Sequence, residues 1–443
     1  MNVCWEMILT PVDTNIATRI WRDDMNISKV VLEVTGYLKP LLLKIFPYRL
    51  LRQLKGRMIH KSFNKILDMK REPFQRKSYR DGINLIGNIK ADTGLGQSCR
   101  LVALELAEGQ FPYSVYQYNQ LGVMSNTNTQ FDSKISKELP YNVNLIHINP
   151  HELGLAFLQL DQSIWNKKYN IGFWLWELEE FPEEWVPCFH GLDEIWTPSE
   201  FISRCIRKKT ELPVITVPYH VSVSIKKKYD RSDFSLPEDE FLFLVMYDRT
   251  SMTERKNPNA VLEAYKKAFG QGEKTGLVIK INNGTDEEIE KLKSTLECCS
   301  NVYFISEILD RDQVNSLVQC VDALVSLHRA EGFGLVLAEA MLLGTPTIAT
   351  NWSSNTEFMT KETSCLVDYQ MVELTHDIGL FKKGNRWAEP DVEKAALYMR
   401  KLYEEPKYCL AMAEQAKSYI KKRLSMEQAV TIINKRISRI YGE

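Results

Sequence analysis

The sequence predicts an α/β protein: two doubly wound parallel-sheet domains facing a cleft, preceded by a helical basic extension at the N-terminus. Three observations predict it. From Ile83 onward, short apolar strand patterns alternate with amphipathic helices. A polar stretch, SIKKKYDRSDFSLPEDE, divides that alternation into two halves. The first 80 residues differ in charge from everything that follows.

Bulk composition narrows the classes. A chain of 443 residues exceeds one ordinary core, so two or three domains are expected. A formal net charge of -1 argues against a nucleic-acid partner, which calls for a basic excess. The nine cysteines contain no C-x-x-C pair, and only Cys298 and Cys299 are adjacent, which reads as reduced thiols in a cytoplasmic protein. No run of 18 apolar residues is present, and MNVCWEMILTPVDTN lacks the basic and apolar regions of a secretory signal.

Residues 1–80 form the predicted extension. Between Lys39 and Arg80 there are 13 Lys or Arg against two acidic residues, Asp68 and Glu72, with apolar residues interleaved. Such a basic amphipathic helix can lie on an anionic membrane surface, which would place the protein at the inner membrane face. The alternative is a helix packed on the protein with a solvated basic face.

The first domain is expected over residues 81–232. INLIGNI reads as its first strand and GLGQSCRLVALELAEG as the helix after it, with Leu101, Leu104 and Ala107 on the buried face. VNLIHIN, YNIGFWLW, DEIWTP and PVITVPY read as further strands. The second domain, 233–425, repeats the alternation: FLFLVMY, GLVIKIN, NVYFISE, DALVSL and PTIAT are each followed by a helix, the last of them short, and then by the strand SCLV. The final segment, 426–443, is amphipathic and is expected to cross back to the first domain. In open parallel sheets ligands bind beyond the carboxyl ends of the strands, so the loops after each strand are where chemistry is sought.

One such loop reads His328-Arg329-Ala330-Glu331-Gly332-Phe333-Gly334-Leu335, with Glu339 on the following helix. Glycines at a strand-to-helix turn let backbone approach a ligand, and the helix N-terminus suits a phosphate. Glu331 and Glu339 are eight residues apart, about 12 Å at helical rise. That is too far for an acid–base pair on one bond, but suits gripping two ends of a long ligand.

The segment EGFGLVLAEAMLLGTPTIAT resembles the E-x7-E signature of family 4 glycosyltransferases, whose fold is GT-B, and the resemblance runs through most of residues 81–443. It implies two Rossmann-like domains and retaining transfer of a hexose from a nucleoside-diphosphate sugar. Glu331 would approach the donor sugar and Glu339 the ribose. Gly332, Phe333, Gly334 and Leu335 would line the donor, with the amides of Gly334 and Leu335 on the diphosphate. Arg255 and Lys256, in MYDRTSMTERKNPNAV, would offset charge growing on the β-phosphate without a metal. The loop TNWSSNTEFM, with Asn351, Ser353 and Asn355, resembles one in a bacterial surface-polysaccharide branch, as do SLHRAEGFG and GNRWAEPD; Asn355 is expected on the donor side. His328 and Arg329 stand where the family usually has small polar residues, and either can be structural. The acceptor implied is a glycan or lipid-linked oligosaccharide.

Asp310-Arg311-Asp312 spells D-x-D, a metal motif of the other major transferase fold. Lying between strand and helix, it reads instead as a helix cap, and no metal or other cofactor is expected.

In the first half, Asp92-Thr93-Gly94-Leu95-Gly96-Gln97-Ser98 departs from the dinucleotide fingerprint because position 99 is Cys. On the transferase reading, Gly94 and Gly96 let this loop face the donor diphosphate. His147, in NLIHINP, is expected near the donor sugar or acceptor, as catalytic or as a structural histidine. Trp174 and Trp176 share a face if their strand is regular, and Trp176 with Glu177 is expected on the acceptor side. Two rivals stand beside this reading: a non-catalytic sugar-nucleotide binding module and a GT-B sugar-nucleotide epimerase.

Overall fold

The computed structural model describes residues 66–67, 70–118, 126–296 and 301–443. Most of the basic extension, and Cys298 and Cys299, therefore lie outside the described residues. Among those described, no helix is long and apolar enough to cross a membrane.

Six strands form the first sheet: β1 (Arg80–Gly87), β2 (Tyr113–Gln117), β3 (Tyr141–His147), β4 (Tyr169–Phe173), β5 (Glu194–Thr197) and β6 (Val214–Thr216). All pair in parallel, in the order β2-β1-β3-β4-β5-β6. The helices α1 (Gly94–Glu108), α2 (Pro150–Gln159) and α3 (Glu200–Arg207) connect them. The last six residues of β1 are all buried, as a parallel strand covered on both faces must be.

A ladder of amides runs across this sheet. The Asn84 amide donates to Asn144 Oδ1 at 2.9 Å, the Asn144 amide donates to Asn170 Oδ1 at 2.7 Å, and Ser114 Oγ donates to Asn84 Oδ1 at 3.3 Å. These residues sit opposite one another in the strand register, so each buried donor meets an acceptor on the next strand.

The second sheet contains β7 (Phe241–Asp248), β8 (Thr275–Asn282), β9 (Val302–Ile305), β10 (Ala323–Ser326), β11 (Thr347–Thr350) and β12 (Cys365–Val367). Its order is β12-β11-β10-β7-β8-β9, again all parallel. Helices α4 (Thr253–Lys256), α5 (Pro258–Ala268), α6 (Asp286–Thr295), α7 (Arg311–Cys320) and α8 (Leu335–Leu343) make the crossovers. Strand order reverses between β7 and β10 here, and between β1 and β3 in the first sheet. Both crevices open at carboxyl strand ends, where open α/β sheets take ligands.

The sequence reading misplaces three local features. YNIGFWLW is strand only to Phe173; the Trp174 amide still reaches the Trp196 carbonyl at 2.9 Å, and the chain then leaves the sheet. On α1, Cys99, Val102, Ala103 and Leu106 are buried, whereas Leu104 is half-buried and Ala107 exposed. The buried arc is rotated because α1 is covered both by its sheet and by the C-terminal helix. An antiparallel hairpin, β13 (Tyr369–Glu373) with β14 (Arg386–Pro390), was not foreseen, its residues being too polar to read as strands.

Two helices, α9 (Val392–Glu404) and α10 (Pro406–Arg423), precede the C-terminal α11 (Met426–Tyr441), which packs on α1 of the first domain. Arg436 makes a bidentate pair with the fully buried Glu194 at 2.6 and 2.5 Å, and the Tyr441 hydroxyl donates to Asn142 at 2.7 Å. The interdomain segment lies against the second domain: the amides of Lys226 and Lys227 donate to Asp312, each at 3.1 Å, and Arg231 pairs with Asp322. Asp310 caps α7 in a reciprocal capping box with Gln313. Both carboxylates of the D-x-D triplet are thus engaged by backbone amides.

Removing Arg436 strands a buried carboxylate. Arg436→Met is expected to cost about 3–5 kcal/mol, read as a lowered urea midpoint, while Glu194→Gln with Arg436→Met together costs less.

Candidate active site

The reversal between β7 and β10 brings two loops together. The loop after β7 ends in the single turn α4, flanked by Met252 at φ +69° and Asn257 at φ +52°. It carries Arg255 and Lys256. The loop after β10 carries Glu331, and the two meet: Lys256 Nζ donates to Glu331 Oε2 at 2.5 Å, with Arg255 Nη1 3.5 Å from the same oxygen. Arg255 is 7% exposed and donates to the carbonyls of Ala330 at 3.1 Å and Ser251 at 3.2 Å. The Glu331 amide donates to Ser353 Oγ at 3.1 Å.

Burial alone would raise the Glu331 pKa, but Lys256, followed by Arg255, overrides it and holds the carboxyl at about 2. Glu331 is therefore ionised, and the cluster of two cations and one anion keeps a net positive charge.

Just beyond, Gly334 takes φ +96°, a left-handed conformation that L side chains rarely adopt, and opens α8 with no side-chain cap. The leading amides of α8 are thus left for a ligand, beside the two cations. Glu339, about a turn and a half on and 6% exposed, pairs with Arg311, while burial raises its pKa. The two glutamates have separate cation partners.

His328, fully buried, backs the loop. Its Nε2 lies 3.1 Å from Asn355 Oδ1 and 3.3 Å from the Trp352 carbonyl, and its Nδ1 lies 3.1 Å from Ser326 Oγ. Two acceptors at Nε2 make that nitrogen the donor, so Nδ1 accepts from Ser326. Burial lowers the His328 pKa, consistent with a neutral ring.

Two donor-side candidates are enclosed by protein. Asn355 is fully buried: its oxygen faces His328 and its amide donates to the Thr350 carbonyl at 3.0 Å, so it braces the loop. Phe333 is 4% exposed and packs on Tyr219 of the first domain (4.9 Å) and on Phe358 (5.4 Å). Both are hydrophobic or polar packing that a local motif cannot distinguish from ligand contact.

Across the cleft, Gly94 is exposed at the start of α1, with open space where a side chain would be. Gly96 differs: a Cβ there would stand 2.1 Å from the Ala91 carbonyl oxygen, so close helix-to-loop packing requires this glycine. His147 borders a small depression also lined by Asn88, Thr93, Leu95, Asn149 and Glu152, at the β1–β3 reversal. Its Nε2 meets Ser98 Oγ at 2.6 Å, Ser98 bonds the Tyr219 hydroxyl, and Tyr219 packs on Phe333. Burial lowers the His147 pKa to about 4, so the ring is neutral at pH 7.

Trp176 is 2% exposed, donates to the Glu180 carbonyl at 2.8 Å and packs edge-on to Trp185. Its side chain belongs to the core, and its carbonyl oxygen lies 3.6 Å from where a Cβ on Gly332 would stand. Glu177, half-buried, does face the cleft: its Cγ lies 3.6 Å from where a Cβ on Gly332 would stand.

Several residues of the site carried no local signal. Ser98 and Tyr219 fix His147 from 49 residues before and 72 after it; Glu357, from the second domain, accepts the amides of Glu200 and Phe201 at 3.0 and 2.8 Å and so caps α3 of the first. Such pairs are set by topology alone.

Two Rossmann-like domains facing a cleft, with cations and a free helix N-terminus at its floor, make this a GT-B fold. Residues 227–419, a little under half of the chain, match the family model described as glycosyl transferases group 1. Among solved structures, sucrose-phosphate synthase from Thermosynechococcus elongatus is similar at a TM-score of 0.60 and 15% identity, covering 82% of this chain and 100% of that one. A glycosyltransferase from Rickettsia africae gives 0.60 at 10% identity, covering 82% and 99%. HepE from Anabaena, in complex with UDP and glucose, gives 0.57 at 11%, covering 81% and 100%. At these identities the likeness is one of fold. No curated protein matches the chain in sequence.

The neutral, buried His147 sets a pH dependence. Unfolded, it takes a proton near pH 6.5; folded, only near pH 4, so stability falls as pH drops through that window. Between pH 7.5 and 4.5 the wild type should lose about 2–3 kcal/mol more than His147→Gln, measured by urea unfolding at both values.

Proposed function

We propose that this chain is a retaining, metal-independent glycosyltransferase that moves a hexose from a nucleoside-diphosphate sugar to a glycan or lipid-linked acceptor. The observation that carries it is the meeting of Arg255, Lys256 and ionised Glu331 beside the uncapped N-terminus of α8. In transfer from such a donor the glycosidic C–O bond breaks and charge grows on the β-phosphate. Fixed cations and backbone amides aimed there stabilise that charge without reorganising.

In this reading the donor diphosphate takes Lys256 and Arg255 at the amides of Gly334 and Leu335, with Glu331 released toward the sugar and Glu339 toward the ribose. Gly94 faces the diphosphate from the first domain. His147 and Glu177 border the acceptor side. A neutral His147 serves as a hydrogen-bond partner of the sugar, not as a cation. The family resemblance suggests front-face attack, with the leaving phosphate accepting the acceptor hydroxyl proton and the anomeric configuration retained. The resemblance of SLHRAEGFG, TNWSSNTEFM and GNRWAEPD to a surface-polysaccharide branch supports the acceptor class.

HepE is bound to UDP and glucose, and a pneumococcal O-GlcNAc transferase to UDP and GlcNAc, which makes UDP the first nucleotide to try. UDP, GDP, ADP and CMP are compared by thermal shift, with and without magnesium. One nucleotide at about 100 times its Kd should add about 2.7 kcal/mol, several degrees in Tm, and Lys256→Ala should lose most of it. A magnesium requirement would overturn metal independence. No shift with any nucleotide would overturn the donor site.

Stereochemistry is tested separately, by NMR of the product formed from an α-linked donor. The α-anomer is expected; the β-anomer would exclude retention.

A further inference from the structure

The two cations stand on α4, a helix of four residues. One turn does not hold its own shape in water, because nucleating a turn costs more than its first hydrogen bonds return. Something outside the turn must fix it, and the structure supplies a tie at Arg329. The Arg329 amide donates to the Arg255 carbonyl at 2.8 Å, and its Nη1 donates to the Glu254 carbonyl at 2.9 Å. The same guanidinium grips Glu389 of β14 through Nε at 2.6 Å and Nη2 at 2.9 Å, and lies 5.0 Å over the Trp387 ring. Its carbonyl accepts from the Ala388 amide at 3.0 Å. One residue, through its backbone and its side chain, thus joins the peptide groups just before Lys256 to the β13–β14 hairpin, the side chain reaching the Glu254 carbonyl.

The other end of the hairpin reaches the first domain. Phe381, 1% exposed, packs edge-on to Trp176 at 5.4 Å, and Trp176 in turn packs on Trp185. Next to it, Gly379 lies against Met252, the residue that opens α4: a Cβ there would stand 2.5 Å from Met252 Cε. Leu374, Phe381 and Trp387 share one buried cluster with Trp174, Trp176 and Ala330.

We propose that the β13–β14 hairpin is an interdomain strut and Arg329 a positioning residue. Docking of Phe381 on the tryptophans of the first domain fixes, through Arg329 and Met252, where Arg255 and Lys256 stand, and so sets affinity for the β-phosphate of a nucleoside diphosphate. The inference rests on the transferase reading above. Arginine is required at 329 because its planar fork serves Glu389 and Glu254 at once, which a lysine ammonium cannot do in one geometry. The hairpin makes the phosphate grip depend on contact between the domains, since parting them withdraws Trp176 from Phe381.

The test is calorimetric binding of UDP, GDP and ADP, and of the monophosphate of whichever binds, to wild type, Lys256→Ala, Arg329→Lys and Phe381→Ala. Arg329→Lys keeps the charge and loses the fork; Phe381→Ala removes the ring that meets Trp176 and, at 6.4 Å, Trp387, and touches neither Arg329 nor α4. Both should weaken the diphosphate about tenfold or more and leave the monophosphate unchanged, the scale of one lost charge-assisted hydrogen bond. A purely structural role would weaken both nucleotides alike or neither, and either result in folded variants overturns the strut. Should Phe381→Ala fail to fold, Phe381→Leu and Arg329→Lys carry the same comparison. If wild type binds no diphosphate, or Lys256→Ala binds it as wild type does, the transferase reading falls and the strut with it. If Lys256→Ala is weak while both strut variants match wild type, only the strut falls.

Discussion

A buried carboxylate cannot stay ionised without a counter-charge, and at Glu331 that requirement organises the centre of the molecule. The nearest residues in sequence offer none that reaches it. Lys256 and Arg255 come from 75 and 76 residues earlier, across the β7–β10 reversal of the second sheet. The pair is favourable only if its geometry is held, because desolvating three charges is costly. Much of the surrounding structure serves that end: Ala330 and Ser251 accept from Arg255, Ser353 accepts from the Glu331 amide, and buried His328 and Asn355 brace the loop from behind. Arg329 lies next but one to Glu331 and ties the same loop to the hairpin.

The domains are held by unlike interactions. Tyr219 on Phe333 and Phe381 on Trp176 are aromatic contacts, which tolerate sliding. The Glu357 carboxylate on the α3 amides, and Ser199 against Ser354 at 2.8 Å, are directional. Helix α11 adds a covalent return path, fixed by the Arg436–Glu194 pair.

His147 shows how a fold gives a residue its chemistry. A histidine at the end of a strand is open to several roles. Here the Ser98–Tyr219 chain occupies Nε2 and burial removes its charge, leaving a neutral ring at the rim of the first domain's depression. Tyr219 also touches Phe333 of the loop after β10, so this phenol is one of the points where the two domains meet.

The sequence by itself determined the two parallel sheets, the helix order and the glycine turn at Gly334, because each is written locally: apolar strand patterns, helix caps such as Asp310 with Gln313, and a glycine turn into a helix; Arg255, Lys256 and Glu331 could be named there from the family resemblance, but their meeting was decided by the fold. Periodicity survives in one dimension, so it can be read there. Burial cannot. Trp176, Phe333 and Asn355 sit in ligand-like surroundings in the sequence, yet each is enclosed by residues from elsewhere in the chain. Gly94 and Gly96 are two positions apart, and only tertiary packing separates an exposed glycine from one pressed against Ala91. The hairpin, the amide ladder Asn84–Asn144–Asn170 and the Arg329–Glu389 pair, 60 residues apart, were decided by the tertiary structure alone, because a contact between distant strands leaves no trace in the spacing of either.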